Sequence, residues 1–566
     1  MDKLIDYKNI DSMKSIINRA VIFSLLLIFL LTCPAWAATY YVKNGGNDSN
    51  AGTSASPWAK CPGMDGWSGK ATLSSGDTVY FDKAGTWSSN SSTTVFFKTT
   101  TDNVTYNGST WGAGTRAKIE ATSGYTGGVV GGDRPLVYIL NNTITFTGFE
   151  VDGNQTRSSG IMVGYKLANA NVDTVTINNC LVHDIGSFSV TGDWPYGILV
   201  SAAAARTTSK VNITNTTIYN TAHGGIDIYP TWTSSGYPIV DTVLIRNCTI
   251  YDTGKCTDGY ARHNIEVVND SRNVTVEFCN LYNSPTQGFY YRVSPNYEGN
   301  VANPPSGGIF RYNIVHNCGE GITTNNQRGL SGMTLDVYGN IFYNNKSWNI
   351  TIGDGQSDSY PSGVFKFYNN TFLNTTASLA YGDISIAQYN MIGTVPTVYF
   401  VNNIVSVGNS TPIYDRRGAI ATRTNNLLYR SSGTTLAYVS GTSYTSANIA
   451  TWVGNSSTKT TDPAFTGGTP PTYFTGTYGS NMVPNTTYFA LGSASPAVNA
   501  GTTLGSPYNG FINGAGLATP ITRPQGASSD IGAYEYVESG SVITPPAVTP
   551  PAVTPPGAPK NLRVIE

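Results

Sequence analysis

The ten residues VTINNCLVHD at positions 175–184 recur, with substitutions, along much of the chain. Alternating apolar residues open the unit, a small or amide residue follows five places on, and Asp or Asn usually stands at nine. The same pattern is found in VNITNTTIYN (211–220), VLIRNCTIYD (243–252), VTVEFCNLYN (274–283), LDVYGNIFYN (335–344) and VYFVNNIVSV (398–407). Internal repeats of this length indicate a solenoid, in which each unit packs on its neighbours.

Segments of this kind begin at residues 144, 175, 211, 243, 274, 308, 335, 365 and 398. The uneven spacing around a fixed core places the insertions on one side of each unit. Strands of four or five residues, with Gly or Asn at the corners and no helical stretch between them, predict an all-β parallel solenoid. At a strand spacing of about 4.8 Å these coils would make a rod on the order of 40 Å long.

The fifth place of each unit forms a column of small and amide residues. We expect the column to stack inside the solenoid as a ladder, each amide bonding to the next coil. Its members are Cys180, Thr216, Cys248, Cys279, Asn313, Asn340, Asn370 and Asn403. The cysteines are therefore interpreted as small buried residues. A disulfide between Cys248 and Cys279 stays open, because adjacent stacking does not guarantee its geometry, and no Cys/His spacing indicates zinc.

The composition excludes several classes of protein. The chain has 33 Lys and Arg against 34 Asp and Glu, and charged residues make up 12 % of its 566 residues. A nucleic-acid-binding surface needs a clustered basic excess, so none is expected. Abundant Tyr and Phe (36 and 20) supply core material, and the scarcity of helix-forming runs excludes a helical enzyme.

The N-terminus has the features of a signal peptide spanning residues 1–37. Lys14 and Arg19 precede the apolar run AVIFSLLLIFLL, which ends shortly before a small-x-small site at Ala35–Ala37. The run is too short to span a bilayer comfortably. We therefore expect a protein that is secreted or at the cell surface, with no transmembrane segment in the mature chain. Met13 is an alternative start.

Motifs at the two ends carry a resemblance to a known family. TYYVKNGGNDSNAGTSASPW (39–58) and LSSGDTVYFDKAGTW (73–87) resemble the opening of secreted right-handed parallel β-helix proteins of the pectate-lyase-like superfamily. SPAVNAGT (495–502), RPQG (523–526) and DIGAYEY (530–536) are similar to a terminal surface or anchor-type module of such proteins. The resemblance implies the fold and secretion, and names no reaction.

These observations give a domain organisation. A right-handed, single-stranded parallel β-helix with its N-terminal cap is expected over residues 38–430. A C-terminal β-module ending in DIGAYEY is expected over residues 431–537. Residues 538–566 contain a Pro-rich spacer, followed by a stretch that resembles the truncated start of a fibronectin type III domain.

The later strand of each coil predicts one inward and one outward column. The inward column is Ile161, Ile198, Ile226, Ile265, Phe289, Ile322, Ile350 and Ile384. The outward column is Met162, Leu199, Asp227, Glu266, Tyr290, Thr323, Thr351 and Ser385. Asp227 and Glu266 therefore stack on adjacent coils, a like-charge contact that needs a cation or a shared proton. Arg262 or a bound metal is the expected source of relief.

Further polar and aromatic side chains should line the same face. Those just before the strands are Tyr196, His223, Arg262, His263, Gln287 and Glu320, and those beyond the outward column are Tyr229 and Arg292. Trp194, Trp232, Tyr237, Tyr260 and Tyr297 lie in insertions that would wall a groove and stack on sugar rings. His183 and His316 fall in a column of tyrosines at the eighth place, so we interpret both as structural.

Two reactions fit such a cluster, and a uronate lyase is the leading hypothesis. Its catalytic candidates are His263, Arg262, His223, Tyr290, Arg292 and Glu320; its substrate-binding candidates are Trp194, Tyr196, Tyr229, Trp232 and Gln287. Ca²⁺ held by Asp227 and Glu266 would neutralise the substrate carboxylate, while a base removes the C5 proton. The expected partner is an acidic polysaccharide, bound by a monomer.

Two alternatives stay open. Two of Asp227, Glu266 and Glu320 could act as acid and base of a glycoside hydrolase. A non-catalytic protein could also use the groove to bind glycans or other cells. The sequence resembles neither the paired-Asp motifs of polygalacturonase-type hydrolases nor a lysine-arginine lyase motif.

Overall fold

The computed structural model describes residues 37–89, 94–125, 134–164, 171–189, 194–203, 206–230, 237–256, 262–294, 301–353, 362–374, 382–386, 394–471, 484–512 and 520–537. The expected signal peptide, apart from Ala37, and the Pro-rich C-terminal segment lie outside these residues. No helix in the described part of the chain is long and apolar enough to cross a membrane.

The chain winds repeatedly through three long sheets, A, B and C, in that order within a coil; strand labels follow chain order. Sheet A stacks β1 (Thr39–Val42), β2 (Thr78–Asp82), β5 (Thr105–Trp111), β8 (Thr145–Thr147), β11 (Val172–Asn178), β14 (Thr207–Thr214), β17 (Ile239–Arg246), β20 (Ser271–Glu277), β23 (Gly308–Arg311), β26 (Thr334–Tyr338), β29 (Val364–Tyr368), β32 (Thr397–Val401), β35 (Ile420–Thr424) and β39 (Asn455–Ser456).

Sheet B stacks β3 (Thr86–Ser88), β6 (Ala117–Glu120), β9 (Phe149–Asp152), β12 (Leu181–Ile185), β15 (Thr217–Thr221), β18 (Thr249–Tyr251), β21 (Asn280–Tyr282), β24 (Ile314–His316), β27 (Ile341–Tyr343), β30 (Thr371–Asn374), β33 (Ile404–Val407) and β36 (Leu427–Arg430).

Sheet C stacks β4 (Phe97–Lys98), β7 (Pro135–Ile139), β10 (Ser159–Val163), β13 (Ile198–Val200), β16 (Ile226–Ile228), β19 (His263–Val268), β22 (Gln287–Val293), β25 (Glu320–Asn326), β28 (Trp348–Ile352), β31 (Ile384–Ile386), β34 (Ile413–Asp415), β37 (Thr435–Val439) and β38 (Thr442–Thr445). Two short 3₁₀ helices, Ile449–Thr451 and Thr487–Phe489, and the pair β40 (Gly510–Phe511) and β41 (Ile521–Thr522) complete the described elements.

Within the three long sheets the neighbouring strands are parallel, except for the closing hairpin of β37 and β38. The predicted inward column is confirmed. Ile161, Ile198, Ile226 and Ile265 are direct partners along sheet C, and the register continues through Phe289 to Ile384. All eight side chains are buried in one continuous apolar core. Since a slip of one residue would turn every side chain to the other face, this register also fixes the outward column.

The corners explain why Asn and Asp recur in the repeat. The residue before the ladder column adopts a left-handed backbone in most coils, as at Asn179, Asn215 and Asn247, where φ lies between 51° and 53°. The Asp or Asn at the ninth place does the same directly after the sheet B strand, as at Asp252 and Asn283. Asn and Asp tolerate this conformation better than other residues with a side chain.

The predicted amide ladder is confirmed. Asn340 accepts a hydrogen bond from the backbone N–H of Asn313 at 2.8 Å and donates to Asn370 at 3.0 Å. The same links continue from Asn370 to Asn403 and on to Asn426, which the repeat pattern did not include. The six described cysteines are buried free thiols, so Cys248 and Cys279 form no disulfide.

The eighth-place column forms a second ladder, of stacked rings, on the outer side of sheet B. Tyr219, Tyr251 and Tyr282 stack with ring centroids about 5 Å apart. His183 caps this stack, and His316 lies between Tyr282 and another tyrosine. Burial lowers the pKa of His316 to about 3, so it is a neutral packing residue, as the structural interpretation expects.

The N-terminal motif folds as a cap over the first coils. Trp58 is fully buried and stacks on Tyr40 with centroids 4.4 Å apart. Asp48 accepts hydrogen bonds from the backbone N–H groups of Ala59 and Lys60. The aspartate of the GDTV motif, Asp77, accepts one from Ala38 N at 2.8 Å. The motif residues therefore bind backbone N–H groups within the cap.

The stacked strands continue beyond the predicted boundary at residue 430, because β37 belongs to sheet C and β39 to sheet A. The later residues return along the outside of the solenoid. Asn402 donates to Thr502 O at 2.8 Å, and Thr371 accepts from Ala533 N at 3.0 Å. Within the DIGAYEY segment, Glu535 forms a buried ion pair with Arg523 at 2.7 Å. These contacts within the tail and with the coils hold the tail against the solenoid.

Candidate active site

The outward column of sheet C carries the ionisable residues predicted from the sequence. Asp227, Glu266 and Tyr290 are direct partners on β16, β19 and β22. All three side chains are nearly buried, with 0 %, 3 % and 6 % of their surface exposed. The sequence predicts an open groove wall at this place. The structure instead buries the column, so its charges must be compensated by neighbouring side chains.

Four side chains provide this compensation and are called the charged cluster: Asp227, His263, Glu266 and Arg292. His263 Nε2 lies 3.0 and 3.1 Å from the two carboxylate oxygens of Asp227 and 3.5 Å from Glu266 Oε2. Arg292 Nε donates to Glu266 Oε1 at 2.5 Å. The imidazole of His263 thus contacts both carboxyl groups and the guanidinium of Arg292 binds Glu266, which relieves the like-charge contact.

The cluster shifts the pKa values of its members in different directions. Burial, with the nearby Glu266 charge, raises the pKa of Asp227 to about 7. The pKa of Glu266 is lowered, because Arg292 and His263 outweigh the effect of its burial. Burial alone would lower the pKa of His263, but the charges of Asp227 and Glu266 raise it overall. Asp227 therefore titrates near neutral pH, whereas Glu266 stays ionised there.

Tyr290 lies at the edge of the charged cluster. Its ring centroid is 5.4 Å from the guanidinium carbon of Arg292 and 6.3 Å from the ring of His263. The side chain of Arg292 is 13 % exposed, against 4 % for that of Glu266. A cation, an imidazole and a phenol therefore meet where the cluster approaches the surface.

Gly224 gives Asp227 and His263 the space that they occupy. A Cβ atom at Gly224 would lie 2.2 Å from Asp227 Oδ1 and 2.9 Å from His263 Nε2. Any side chain at this position would therefore displace the hydrogen bond between the two. Sequence reasoning missed this residue, although the paired glycines of HGGIDI immediately before β16 were its signal.

The remaining catalytic candidates lie around the cluster. Arg262 directs its guanidinium to Gly254 O at 3.5 Å, so Glu266 is paired by Arg292 and not by the expected Arg262. His223 is buried, and its ring lies 5.2 Å from that of Trp194. Glu320 lies two strands beyond His263 in the same register and accepts a hydrogen bond from Thr323.

The substrate-binding candidates separate into two groups. Tyr196 and Tyr229 pack on an apolar cluster formed by Tyr138, Met162 and Leu199. They therefore extend the apolar packing on the outer face of sheet C. Gln287 stands between His263 and Glu320 in the register of sheet C.

Aromatic side chains at the rim are more accessible. Trp194 and Tyr237 are 43 % and 53 % exposed. Trp232, Tyr260 and Tyr297 lie outside the described residues. Within the described chain, Trp194 and Tyr237 are therefore the accessible members of this aromatic group, and Trp194 lies beside His223.

Comparisons with known proteins agree with this architecture. A family model described as "Right handed beta helix region" matches residues 173–372. The fold is a right-handed parallel β-helix. No curated protein matches the chain in sequence.

Several solved structures resemble the chain at low identity. One is pectate lyase Pel9A, with 14 % identity over 88 % of this chain and 96 % of that chain and a TM-score of 0.44. Another is the A-module of the mannuronan C-5 epimerase AlgE4 of Azotobacter vinelandii, with 14 % identity, coverages of 64 % and 91 % and a TM-score of 0.40. A rhamnogalacturonan lyase has 14 % identity over 65 % of this chain and 87 % of that chain, with a TM-score of 0.40. Likeness at this level leaves the reaction open.

Proposed function

We propose that the chain is a secreted, monomeric enzyme that cleaves a uronate-containing polysaccharide by β-elimination at the charged cluster. The observation that carries the proposal is the position of Arg292, which binds Glu266 at 2.5 Å and has the most exposed side chain of the charged cluster. Below about pH 7, where Asp227 is protonated, Arg292 and His263 face one carboxylate, Glu266. The cluster then favours an anionic ligand in a site of low dielectric constant.

The three tasks of β-elimination can be assigned to residues at the edge of the cluster. Arg292 is the exposed cation and would bind the substrate carboxylate, which stabilises the charge that develops when the C5 proton leaves. Tyr290 and His263 form the proton-transfer pair. The raised pKa of His263 suits the donor that protonates the leaving oxygen at C4, so Tyr290 would accept the C5 proton as its phenolate, after its own proton has passed to solvent. The C4–O bond breaks as the C4–C5 double bond forms.

Calcium does not suit the donor set that these residues present. Ca²⁺ takes six to eight oxygen ligands, whereas both oxygens of Asp227 contact the imidazole of His263 and Glu266 is bound by a guanidinium. A cation here would have to displace Arg292 and lie against a protonated His263. The proposed reaction therefore uses no calcium ion, in contrast to the expectation from the sequence.

Hydrolysis by the stacked carboxylates is less compatible with the geometry. Retaining and inverting glycosidases separate their carboxyl groups by about 5 Å or more, because the scissile bond lies between them. Asp227 and Glu266 are direct partners on adjacent strands, and one nitrogen of His263 lies within 3.5 Å of both carboxyl groups. A sugar cannot enter between them, so a hydrolase would have to use Glu320 as one of its two carboxylates.

The decisive experiment incubates the protein with a panel of uronate polymers, including polygalacturonate and alginate, with and without EDTA. We expect an increase in the ultraviolet absorbance of unsaturated uronides on at least one polymer, unchanged by EDTA. Arg292→Gln should abolish it. Arg311→Gln is the matched control, since Arg311 forms an ion pair of similar length with Glu277 on sheet A.

The other outcomes are equally distinct. Reducing ends without absorbance would show hydrolysis. The absence of both signals on every polymer would favour a glycan-binding protein. Activity that EDTA abolishes and added Ca²⁺ restores would overturn the calcium-free mechanism.

A further inference from the structure

A second surface feature lies near the N-terminal end of the solenoid, away from the charged cluster. A cavity with a volume of about 500 Å³ opens where β1 ends and the turns after β2 and β5 leave sheet A. Its walls are Lys43, Asn44, Asp82, Ala84, Gly85, Trp111, Gly112 and Ala113. The cavity is three to four coils from β14, the sheet A strand of the coil that carries Asp227. That separation is roughly 15–20 Å along the axis.

One wall of the cavity is aromatic and is held rigidly. Trp111 is half-buried, and the ring of Tyr41 meets it edge-on with centroids 5.0 Å apart. Tyr41 in turn stacks on Tyr80 at 5.7 Å, its direct partner between β1 and β2. Flat aromatic faces of this kind bind the C–H face of a sugar ring with little loss of side-chain entropy.

The polar wall of the cavity carries one positive and one negative side chain, so it has no net charge. Lys43 Nζ lies 3.6 Å from Asp82 Oδ2, with 54 % of the lysine side chain exposed and 9 % of the aspartate. The amide of Asn44 is fully engaged by Thr86, donating to its carbonyl and accepting from its N–H. A ligand would therefore meet one carboxylate acceptor and one ammonium donor. Sugar hydroxyls can both donate and accept, so they satisfy this pair without adding charge.

Glycine leaves space beside the carboxylate of Asp82. A Cβ atom at Gly112 would lie 2.1 Å from Asp82 Oδ1, and the backbone there is left-handed, with φ of 83°. At Gly85, a Cβ atom would lie 2.8 Å from Asn44 Oδ1. Side chains at either position would occupy the space beside the polar wall.

We propose that this cavity is a second, non-catalytic carbohydrate site that binds a neutral sugar unit. A volume of about 500 Å³ is typical of small-ligand pockets. The net neutral ion pair distinguishes the cavity from the positively charged cluster on sheet C, which favours a uronate. The site is independent of the proposed lyase activity, because no residue is common to the two.

The test titrates the full chain with neutral oligosaccharides (cellotetraose, xylotetraose, mannotetraose and galactotetraose) and follows tryptophan fluorescence and calorimetry. We expect saturable binding of at least one of them. Trp111→Ala should weaken it about tenfold or more, as should Ala113→Leu, which narrows the cavity from its exposed rim. Trp194→Ala, at the rim of the charged cluster, should not change it.

Melting temperatures establish that the variants are folded, and the Ala113→Leu variant leaves the aromatic wall intact. The proposal is overturned if none of the four oligosaccharides binds, if binding survives both Trp111→Ala and Ala113→Leu, or if Trp194→Ala removes it. Stronger binding of galacturonate tetramer than of every neutral tetramer, lost on Trp111→Ala, would overturn the assignment to a neutral sugar. Lyase activity is not part of this readout, so a failure here does not bear on the proposed reaction.

Discussion

The ion pair between Arg292 and Glu266 has two roles that a double-mutant cycle can separate. It compensates a buried carboxylate, and in the proposed mechanism its arginine also binds the substrate. Arg292→Gln removes the 2.5 Å contact and leaves Glu266, whose side chain is 4 % exposed, with only the imidazole of His263 nearby at 3.5 Å. Breaking a buried pair on one side costs about 3–5 kcal/mol in the free energy of unfolding. We therefore expect a loss of about 3 kcal/mol.

Adding Glu266→Gln to this variant should restore most of the lost stability, because the unpaired carboxylate is removed and Asp227 and His263 remain as an ion pair. Turnover should stay absent, since the substrate carboxylate still has no guanidinium partner. Urea unfolding followed by circular dichroism gives the stability of the four proteins in the cycle, and the uronide absorbance gives their activity.

Arg311→Gln is the control for stability as well. Glu277 keeps Arg246 at 2.5 Å, so this variant should lose less stability than Arg292→Gln and retain full activity. Parent-like turnover in the doubly substituted protein would refute the role of Arg292. A double variant as unstable as Arg292→Gln alone would refute the electrostatic explanation.

Three further predictions concern the ladder and the cluster. Asn340→Ala should destabilise the protein by about 3 kcal/mol, because the buried N–H of Asn313 and the carbonyl of Phe310 both lose the side chain that they bind. Asn340→Thr should lose less, since Thr216 accepts from Cys180 N in the same column, and equal urea midpoints would contradict this. Because the pKa of Asp227 is raised in the folded state, the stability that its proton contributes is complete below about pH 4 and is lost as the pH rises through about 7. Asp227→Asn should therefore flatten this part of the plot of unfolding free energy against pH. A parallel shift of the whole plot would count against this prediction. Gly224→Ala should reduce turnover strongly while Gly441→Ala, in an open turn, should not, and equal activities would show that the space beside Asp227 is unimportant.

Much of the fold follows from the sequence because a solenoid repeats one local solution. The left-handed corners at Asn179 and Asn215, the ladder at Asn340 and the inward isoleucines are each set by residues within one coil, so their spacing is visible in the repeat. The return of the tail along the outside of the coils was not visible. It depends on contacts between residues 100 or more positions apart, such as Asn402 with Thr502, which follow no period.

The sequence predicts where the candidate site lies, but only part of its chemistry. The columns of sheet C bring Asp227 beside Glu266, because register transfers directly from sequence to structure. The partner of Glu266 was not determined by register alone, since Arg262 and Arg292 both lie one coil or less away and the direction of a long side chain decides between them. The near-complete burial of the column is a further property that a periodic pattern does not encode.

The amide ladder also gives the rod a direction. From Asn313 to Asn426, each side-chain N–H points to the carbonyl oxygen of the next coil toward the C-terminus. The amide dipoles are therefore aligned head to tail, and hydrogen bonds in such a chain polarise one another. Deamidation of a single member would remove a donor and insert a negative charge into this row. The persistence of this fold therefore depends on the chemical integrity of a few buried asparagines.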